Sequence, residues 1–380
     1  IVSISDHSML LTQAQEADTA LAKGEYRGWM HGFPHAIKDL ANCEGYVTSC
    51  GSPLLANNVA AGDAIFTHRI REAGAIFIGK TNVPEFGLGS QSYNTLHGAT
   101  RNAFNPALCA GGSSGGAAVA LALDLLPVAD GSDMMGSLRN PAAFNNVVGF
   151  RPSIGRVPKS EGDLFTGSLS TEGPMGRHVE DVIKLFLTMS GPDTCSPLSW
   201  RGNPGSAEEY NPLPLKHKNI GWLADLGGHL STEAGLIPLC EAALQSLGST
   251  GIHIEHSTLD FNMEELWACW ITLRQWGLTN SPNRLFKNPK TRIQLKAEVQ
   301  WELDQAETIT TDRLAKAFDT RSRWYQTINN AFGQHDFLAL PSAQVFPFEV
   351  AQHWPAKIEG RKMATYHQWM EVVIGGTLSG

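Results

Sequence analysis

The sequence predicts an α/β protein, a β-sheet with helices on its faces, and two observations support this fold class. Helical and strand patterns alternate along the chain, which is typical of such sheets. In addition, 42% of the 380 residues are hydrophobic and only 17% are charged, whereas an average soluble domain has about 25% charged residues. A large fraction of the chain is therefore interior, in one large unit or in two ordinary domains.

Apolar spacing predicts each element of this alternation. A helix is expected over 8–24, with Gly24 as its stop, and a second helix from an Asp63 cap to Gly74. A buried strand over 75–78 follows at once. The same reasoning predicts the later elements, namely a helix over 179–189, a strand over 219–223, a helix over 233–247, and strands over 252–256 and 337–340.

Between about 261 and 332 the pattern changes to helices rich in tryptophan. Trp267, Trp270, Trp276 and Trp301 lie in its first part, and a long helix with apolar residues in register continues to Phe332. Two interpretations stay open: a helical insertion that lines a substrate pocket, or simple aromatic core. Since no linker or repeat divides the chain, we predict one domain over 1–380.

Charge and cysteine usage narrow the classes of function. Lys and Arg total 29 against 37 Asp and Glu, a net charge of -8, which argues against binding to nucleic acid or to an anionic membrane surface. No apolar run reaches the length of about 18 residues that predicts a membrane span. The six cysteines form no C-x-x-C pair and no N-x-S/T sequon occurs, so we expect reduced thiols and a cytoplasmic location.

One stretch matches a nucleotide-binding pattern but lacks its context. Residues 74–81 read G-x-x-x-x-G-K-T, the spacing of a phosphate-binding loop. Such a loop needs a strand before the first glycine and a helix after the lysine. Here the intervening residues are themselves the predicted strand, so we do not expect nucleotide binding.

A second motif resembles the nucleophile elbow of α/β-hydrolases. Residues 112–116 read G-S-S-G-G and satisfy G-x-S-x-G. That elbow requires a strong strand immediately before it. Residues 105–110 make a poor strand, so the elbow interpretation is weak.

Two further features point to acyl-transfer chemistry. The segment 110–158 is dense in glycine and serine, and glycines let backbone N–H groups converge on one point, as an oxyanion hole requires. A set of tight turns is the alternative. Lys38 lies in a short apolar strand, where burial disfavours its charged form. Asp39 does not oppose this, because neighbouring side chains in a strand face opposite sides.

Three separate blocks, in order and spacing, resemble the amidase signature family of serine hydrolases. They are Gly-Phe-Pro-x-x-x-Lys-Asp at 32–39, Gly-Gly-Ser-Ser-Gly-Gly at 111–116, and Gly-Ser-Asp-Met-Met-Gly-Ser-Leu-Arg at 131–139. Similarity continues through 149–157 and covers at least 25–160. The resemblance implies the fold of that family, a large, twisted, mixed β-sheet covered by helices on both faces, with a helical insertion at 261–332.

The resemblance also implies the site residues. By position, Ser137 is the nucleophile, Ser113 is the bridging serine on a cis peptide after Gly112, and Lys38 is the base. A neutral lysine can remove the proton of a serine through an intervening hydroxyl. No metal or other cofactor is implied, and the substrate is a small amide. The remaining assignments are an oxyanion hole from the N–H groups of Met134, Met135, Gly136 and Ser137, and supporting roles for Ser114, Asp133 and Arg139.

Two departures from the family pattern matter. Family members commonly have glycine where this chain has Met135, so a side chain occupies space near the reacting carbonyl and the substrate pocket is expected to differ. A full member also continues past Gly380 and begins before Ile1, so we expect the domain to be truncated at both ends. The third block contains two adjacent methionines, Met134 and Met135. Together with residues 140–146, this variant resembles the branch of the family that includes hydrolases of cyclic amides related to nylon oligomers.

The predicted function is therefore hydrolysis of an apolar linear or cyclic amide through an acyl-enzyme on Ser137. Two alternatives remain: the glutaminase-like component of a tRNA-dependent amidotransferase, which would need a partner protein, and a non-catalytic scaffold. The oligomeric state is open, with a homodimer as one option. His31 and His35 lack an identifiable carboxylate partner and are interpreted as structural. Cys269 is interpreted as a small buried hydrophobe.

Overall fold

The computed structural model describes residues 1–202, 204–206, 209–210, 213–279 and 284–380. Helices and strands alternate along most of this length, which confirms the α/β class. The helices are α1 (His7–Ala22), α2 (Ile65–Glu72), α3 (Gly115–Ala122), α4 (Arg139–Phe144), α5 (Val179–Met189), α6 (Leu236–Leu247), α7 (Met263–Thr279), α8 (Arg284–Lys287), α9 (Pro289–Arg292), α10 (Ala297–Ala306), α11 (Thr311–Phe332) and α12 (Ile374–Ser379).

The strands are short and pair in both directions. They are β1 (Pro34–Lys38), β2 (Ile76–Thr81), β3 (Tyr93–Asn94), β4 (Gly98–Ala99), β5 (Val128–Asp133), β6 (Val148–Gly149), β7 (Thr171–Gly176), β8 (Asn219–Trp222), β9 (His253–His256), β10 (Phe337–Ala339), β11 (Lys357–Ile358) and β12 (Arg361–Lys362). β1 pairs in parallel with β2, β7 pairs antiparallel with β5 and β6, and β8 lies between parallel partners β9 and β10.

β1 and β5 form the part of the fold that carries the predicted base. The two strands lie side by side, and the Lys38 backbone N–H donates to the Asp130 carboxylate at 3.1 Å. β5 is buried along its whole length. Because both strands run through the interior, any side chain that projects between them is held in a dry environment.

Amphipathic helices close this core. α5 buries Val182, Leu185, Phe186 and Met189, at the spacing of one helix face, and packs in one cluster with the buried face of α2. The predicted bounds of α5 agree with the structure. The strand predicted at 75–78 extends to Thr81 as β2, so the lysine of the G-x-x-x-x-G-K-T motif lies within a buried strand. This position agrees with the expectation that the motif does not bind a nucleotide.

Two predicted helix starts are wrong. Asp63 does not cap α2, whose N-cap is Ala64, because the Asp63 carboxylate instead accepts from the backbone N–H of Glu44 and from Arg71 Nε, both at 2.7 Å. The helix expected from residue 233 begins only after Gly235, whose φ of 88° lies outside the helical region.

The segment 261–332 is helical, as predicted, from α7 to α11. Its Trp270 and Trp324 are fully buried and belong to the largest hydrophobic cluster, which supports the core interpretation for those two residues. Among the described residues, no helix has both the length and the hydropathy needed to cross a bilayer.

Candidate active site

The centre of the site is the Lys38 ammonium at the end of β1. Its Nζ donates to Ser113 Oγ at 2.9 Å, to Ser114 Oγ at 2.8 Å and to Ser132 Oγ at 3.0 Å. It also reaches the backbone carbonyl of Ser132 at 3.2 Å. The side chain is 1% exposed, so these serines replace the water that a surface lysine would have.

Burial lowers the pKa of Lys38 from 10.5 to about 8, although the attraction of Glu172, Asp130 and Asp133 acts in the opposite direction. Desolvation penalises the charged form, and its effect on the pKa of Lys38 is larger than the attraction of those carboxylates. Asp39 faces away, as predicted, and accepts from the Ser49 backbone N–H at 3.0 Å. A neutral amine at Lys38 is thus accessible near neutral pH.

Ser113 is placed by the glycine-rich turn before α3. The Gly112–Ser113 peptide bond is cis. The first turn of α3 lies against the end of β2, since a Cβ on Gly116 would fall 2.3 Å from the backbone nitrogen of Asn82, the residue after β2. Only glycine allows this approach.

Ser137 lies on the neighbouring loop, and the backbone N–H of Ser114 donates to its carbonyl at 3.1 Å. Ser137 and Ser113 line the same cavity. No hydrogen bond joins their two hydroxyls among the described residues. The structure therefore places the nucleophile candidate beside the serine–lysine relay rather than in a closed chain with it.

Asp133 organises the loop that carries Ser137. Its carboxylate accepts from the backbone N–H groups of Gly136 at 2.9 Å and Leu138 at 3.1 Å, and from Arg139 Nη2 at 2.8 Å. Burial raises the pKa of Asp133, but Arg139 and then Arg151 outweigh it and hold the pKa well below its usual range. The carboxylate therefore stays ionised and fixes the loop.

This arrangement bears on the choice among the predicted oxyanion donors. The Gly136 N–H is already bonded to Asp133 and is not free to receive an oxyanion. Within the described part of the chain, no protein acceptor is bonded to the N–H groups of Met134, Met135 or Ser137. The candidate oxyanion donors are thus reduced to those three.

A cavity of about 360 Å³ opens onto these groups. One wall carries Ser113, Ser132 and Ser137, and the helical segment supplies the opposite wall through Trp276 of α7 and Phe318 of α11. Met135 lines the cavity and is 4% exposed, so a side chain does occupy the place where the family pattern has glycine. The pocket interpretation of the 261–332 segment therefore fits Trp276, and the core interpretation fits its buried neighbours.

The comparison with protein families covers nearly the whole chain. Residues 4–380 match the family described as Amidase. The chain belongs to the amidase family.

Curated relatives of this amidase agree with that assignment. It is 31% identical over 367 residues to an acylamidase of Rhodococcus erythropolis, across 94% of this chain and 74% of the relative. It is 37% identical over 253 residues to a component of the glutamyl-tRNA(Gln) amidotransferase of Coxiella burnetii, across 66% of this chain and 52% of the relative, about half its length. The chain is an amide-hydrolysing enzyme.

Solved structures show the same fold. A bacterial aryl acylamidase of the amidase signature family superposes with a TM-score of 0.91 at 26% identity, over 99% of this amidase and 80% of that chain. A 6-aminohexanoate cyclic dimer hydrolase superposes with a TM-score of 0.78 at 22% identity, over 97% and 79%. The predicted family is confirmed by the family match, and these neighbours show the fold.

Three residues of the amidase site escaped the sequence analysis. Ser132 bonds the Lys38 amine, Asp130 holds its backbone, and Arg151 lies 3.6 Å from the Asp133 carboxylate. Each falls within a segment that resembles the family, so the motifs mark the neighbourhood. Their roles follow only from the packing of β1 against β5, which no local pattern records.

The remaining candidates have structural environments. His31 Nε2 contacts the Ala17 carbonyl at 2.9 Å. His35 Nε2 lies 3.0 Å from Asp130 Oδ1, a carboxylate partner that the sequence did not identify. Cys269 is 2% exposed and burial raises its pKa to about 12, so it is a buried hydrophobe. Among the described residues, no cluster of His, Cys, Asp or Glu could hold a metal ion.

Proposed function

We propose that this amidase cleaves its amide through an acyl-enzyme on Ser137, with Lys38 as the base and Ser113 as the relay. The observation that carries the proposal is the buried Lys38 amine, with a pKa lowered to about 8 and a hydrogen bond of 2.9 Å to Ser113 Oγ. A serine is a weak nucleophile until a base removes its proton. An amine of this pKa can act as that base near neutral pH.

The proposed steps conserve protons. Ser137 Oγ attacks the carbonyl carbon while its proton passes to Ser113 Oγ and the Ser113 proton passes to the neutral Lys38 amine. The oxyanion is received by backbone N–H groups of Met134, Met135 and Ser137. As the C–N bond breaks, the proton returns through Ser113 to the leaving amine. Water attacks the acyl-enzyme by the same route and frees the acid.

The cavity walls favour an apolar substrate. Phe86, Leu88, Ile154, Trp276 and Phe318 line it. Glutamine would need unpaired groups for its ammonium and carboxylate. Three charged side chains of the wall already have partners: Lys159 with Glu172 at 3.1 Å, Glu161 with Asn42 at 2.8 Å, and Arg321 with the Leu378 carbonyl at 3.0 Å.

An apolar secondary amide, linear or cyclic, is therefore the proposed substrate class. We propose the helical segment 261–332 as the substrate-side wall of a single domain. We also propose a cytoplasmic location. The oligomeric state, with a homodimer as one option, can be measured by sedimentation.

The first test is covalent labelling of the purified chain with a fluorophosphonate, read by intact mass and peptide fragmentation. We expect one adduct, on Ser137. Ser137→Ala should abolish it, whereas Ser246→Ala, at an exposed serine of α6, should label like the wild type. Lys38→Met should slow labelling strongly. An adduct elsewhere, or none on a folded chain, contradicts the assignment and favours the scaffold alternative.

The second test separates the two enzymatic alternatives. Hydrolysis of hexananilide, a cyclic diamide and glutamine is followed by release of amine or ammonia. We expect turnover of the apolar amides and little of glutamine. Faster hydrolysis of glutamine than of the apolar amides supports the amidotransferase-like alternative. The relative that is 37% identical is a component of such an amidotransferase.

A further inference from the structure

A buried charged cluster lies behind the cavity wall, on the helical side. Arg274 of α7 donates from Nε to Glu302 Oε1 of α10 and from Nη2 to Tyr366 Oη at 2.8 Å. Tyr366 in turn donates to Glu302 Oε1 at 2.8 Å. Arg274 is 5% exposed and Glu302 is 0% exposed, so the pair is held in a fixed geometry.

One end of the Arg274 guanidinium faces the reaction site. Arg274 lines the same cavity as Ser137. Among the described residues, the sole partner of its Nη1 is the Met134 sulfur, at 3.4 Å. A thioether is a weak acceptor, so this N–H retains most of its capacity to donate. The backbone N–H of the same Met134 is one of the three candidate oxyanion donors, so one methionine side chain separates Nη1 from the proposed oxyanion site.

The charge of the cluster sums to zero. Burial raises the pKa of Glu302, but the attraction of Arg274 outweighs it and holds the pKa well below its usual range. His367 Nε2 lies 3.4 Å from Glu302 Oε1, and burial lowers the pKa of His367, so the ring is neutral near pH 7. Arg274 thus offers a directed hydrogen bond without a net positive field.

From this geometry we propose that Arg274 is a specificity-determining residue that binds an uncharged acceptor oxygen of the substrate, a second carbonyl or an ether, a few bonds from the scissile amide. The inference rests on the proposed function. A carboxylate is disfavoured there, because its desolvation would not be repaid beside an already neutralised arginine. A substrate with a purely apolar acyl chain leaves the Arg274 Nη1 donor with only the Met134 sulfur as its partner.

The test compares kcat/KM for four anilides of similar length: hexananilide, its 4-oxo derivative, its 5-oxo derivative, and 4-(phenylcarbamoyl)butanoate. Because a hydrogen bond from a charged donor contributes about 1.5–3 kcal/mol, we expect the better oxo derivative to exceed hexananilide about 10-fold or more. The carboxylate should not exceed hexananilide. No preference for an oxo derivative, or a preference for the carboxylate, overturns the inference.

Two variants assign the preference to Arg274. Arg274→Met combined with Glu302→Gln removes both charges, so that neither is left buried alone. Arg274→Lys keeps the charge but loses the planar fork. In both, the ratio of oxo to plain substrate, each measured on the same protein, should fall to about 2-fold or less. A ratio that persists in a variant overturns the inference.

Labelling of Ser137 by the fluorophosphonate distinguishes the possible failures. If the wild type labels and hydrolyses hexananilide but shows no oxo preference, only the Arg274 inference is wrong. If the wild type neither labels nor hydrolyses any amide, the proposed function fails and the Arg274 inference fails with it. If one Arg274 variant is not labelled at Ser137 by the fluorophosphonate, the ratio of oxo to plain substrate is taken from the other variant.

Discussion

At the scale of single residues, burial gives Lys38 a property that the proposed base requires. A lysine in water is protonated near neutral pH and cannot accept a proton. Here desolvation lowers its pKa to about 8, and three serine hydroxyls hold the amine in position. The fold therefore supplies the reactivity that the side chain lacks by itself.

The pH dependence of hydrolysis follows from this pKa. Because the neutral amine is the active form, we expect kcat/KM to rise about tenfold per pH unit below about pH 8 and then to level off. Glu172 is the strongest carboxylate opposing the shift. Glu172→Gln should therefore move the midpoint to lower pH. A profile that is flat from pH 6 to 9 contradicts the role of Lys38.

The same shift makes stability depend on pH. Between about pH 8 and 10.5 the unfolded chain binds a proton at Lys38 that the folded chain does not. The free energy of unfolding of the wild type, relative to Lys38→Met, should therefore rise with pH across this window. A shift from 10.5 to about 8 corresponds to about 3 kcal/mol at most. Urea unfolding of both proteins at pH 7.5 and 10 measures it, and a constant difference argues against a buried, shifted lysine.

At the scale of elements, the close contact of α3 with the end of β2 fixes Ser113, the proposed relay. A Cβ at Gly116 would lie 2.3 Å from Asn82 N and 2.8 Å from Asn82 O. Both atoms are backbone and cannot swing aside. The N-terminus of α3, with Ser113 and Ser114 before it, is thereby held against the strand.

Substitution tests this contact. Gly116→Ala should lower the free energy of unfolding by about 1–3 kcal/mol or more, and should slow labelling of Ser137 because the relay moves. Gly248→Ala is the matched control, since no heavy atom lies within 4 Å of its added Cβ and its φ is -57°. It should change stability by less than about 1 kcal/mol. Denaturant unfolding that shows equal effects contradicts the proposed contact.

The elements also show which parts of the fold are predictable from sequence. α5 is predictable with its observed bounds because its apolar face repeats at helical spacing. The Asp63 cap is wrong because a partner eight residues away, Arg71, takes the carboxylate. The three catalytic candidates come from family motifs. Arg274 and Glu302 are 28 residues apart in the sequence and join two helices, α7 and α10. No local pattern specifies that packing.

At the scale of the whole molecule, the cavity lies between two parts of the chain that differ in their residues and secondary structure. The glycine-rich segments around β5 and α3 carry the proposed catalytic serines, whereas α7 and α11 supply a wall. Trp276 is half-buried on that wall and packs edge-to-face on Phe318, with ring centroids 5.6 Å apart. Its exposed part is available to a substrate.

Removal of that ring should affect substrate choice more than chemistry. We expect Trp276→Ala to lower kcat/KM for hexananilide about 10-fold or more, because burial of an aromatic surface contributes about 2 kcal/mol. The value for propionamide should fall much less. Trp29→Ala, at a half-buried ring that donates to Thr188 Oγ1 and does not line the cavity, is the matched control and should leave the ratio of the two substrates unchanged. Equal losses for both amides contradict a binding role for Trp276.

The division of the cavity has an evolutionary consequence. Substitutions of cavity-facing side chains on α7 and α11 can alter the substrate range while Lys38, Ser113 and Ser137 keep their positions, because contacts outside these helices place the three residues. Descendants of such a protein can therefore acquire new amides through drift on the helical wall, without an inactive intermediate. One ancestral scaffold can in this way give rise to enzymes whose substrates have little in common beyond the bond that is cut.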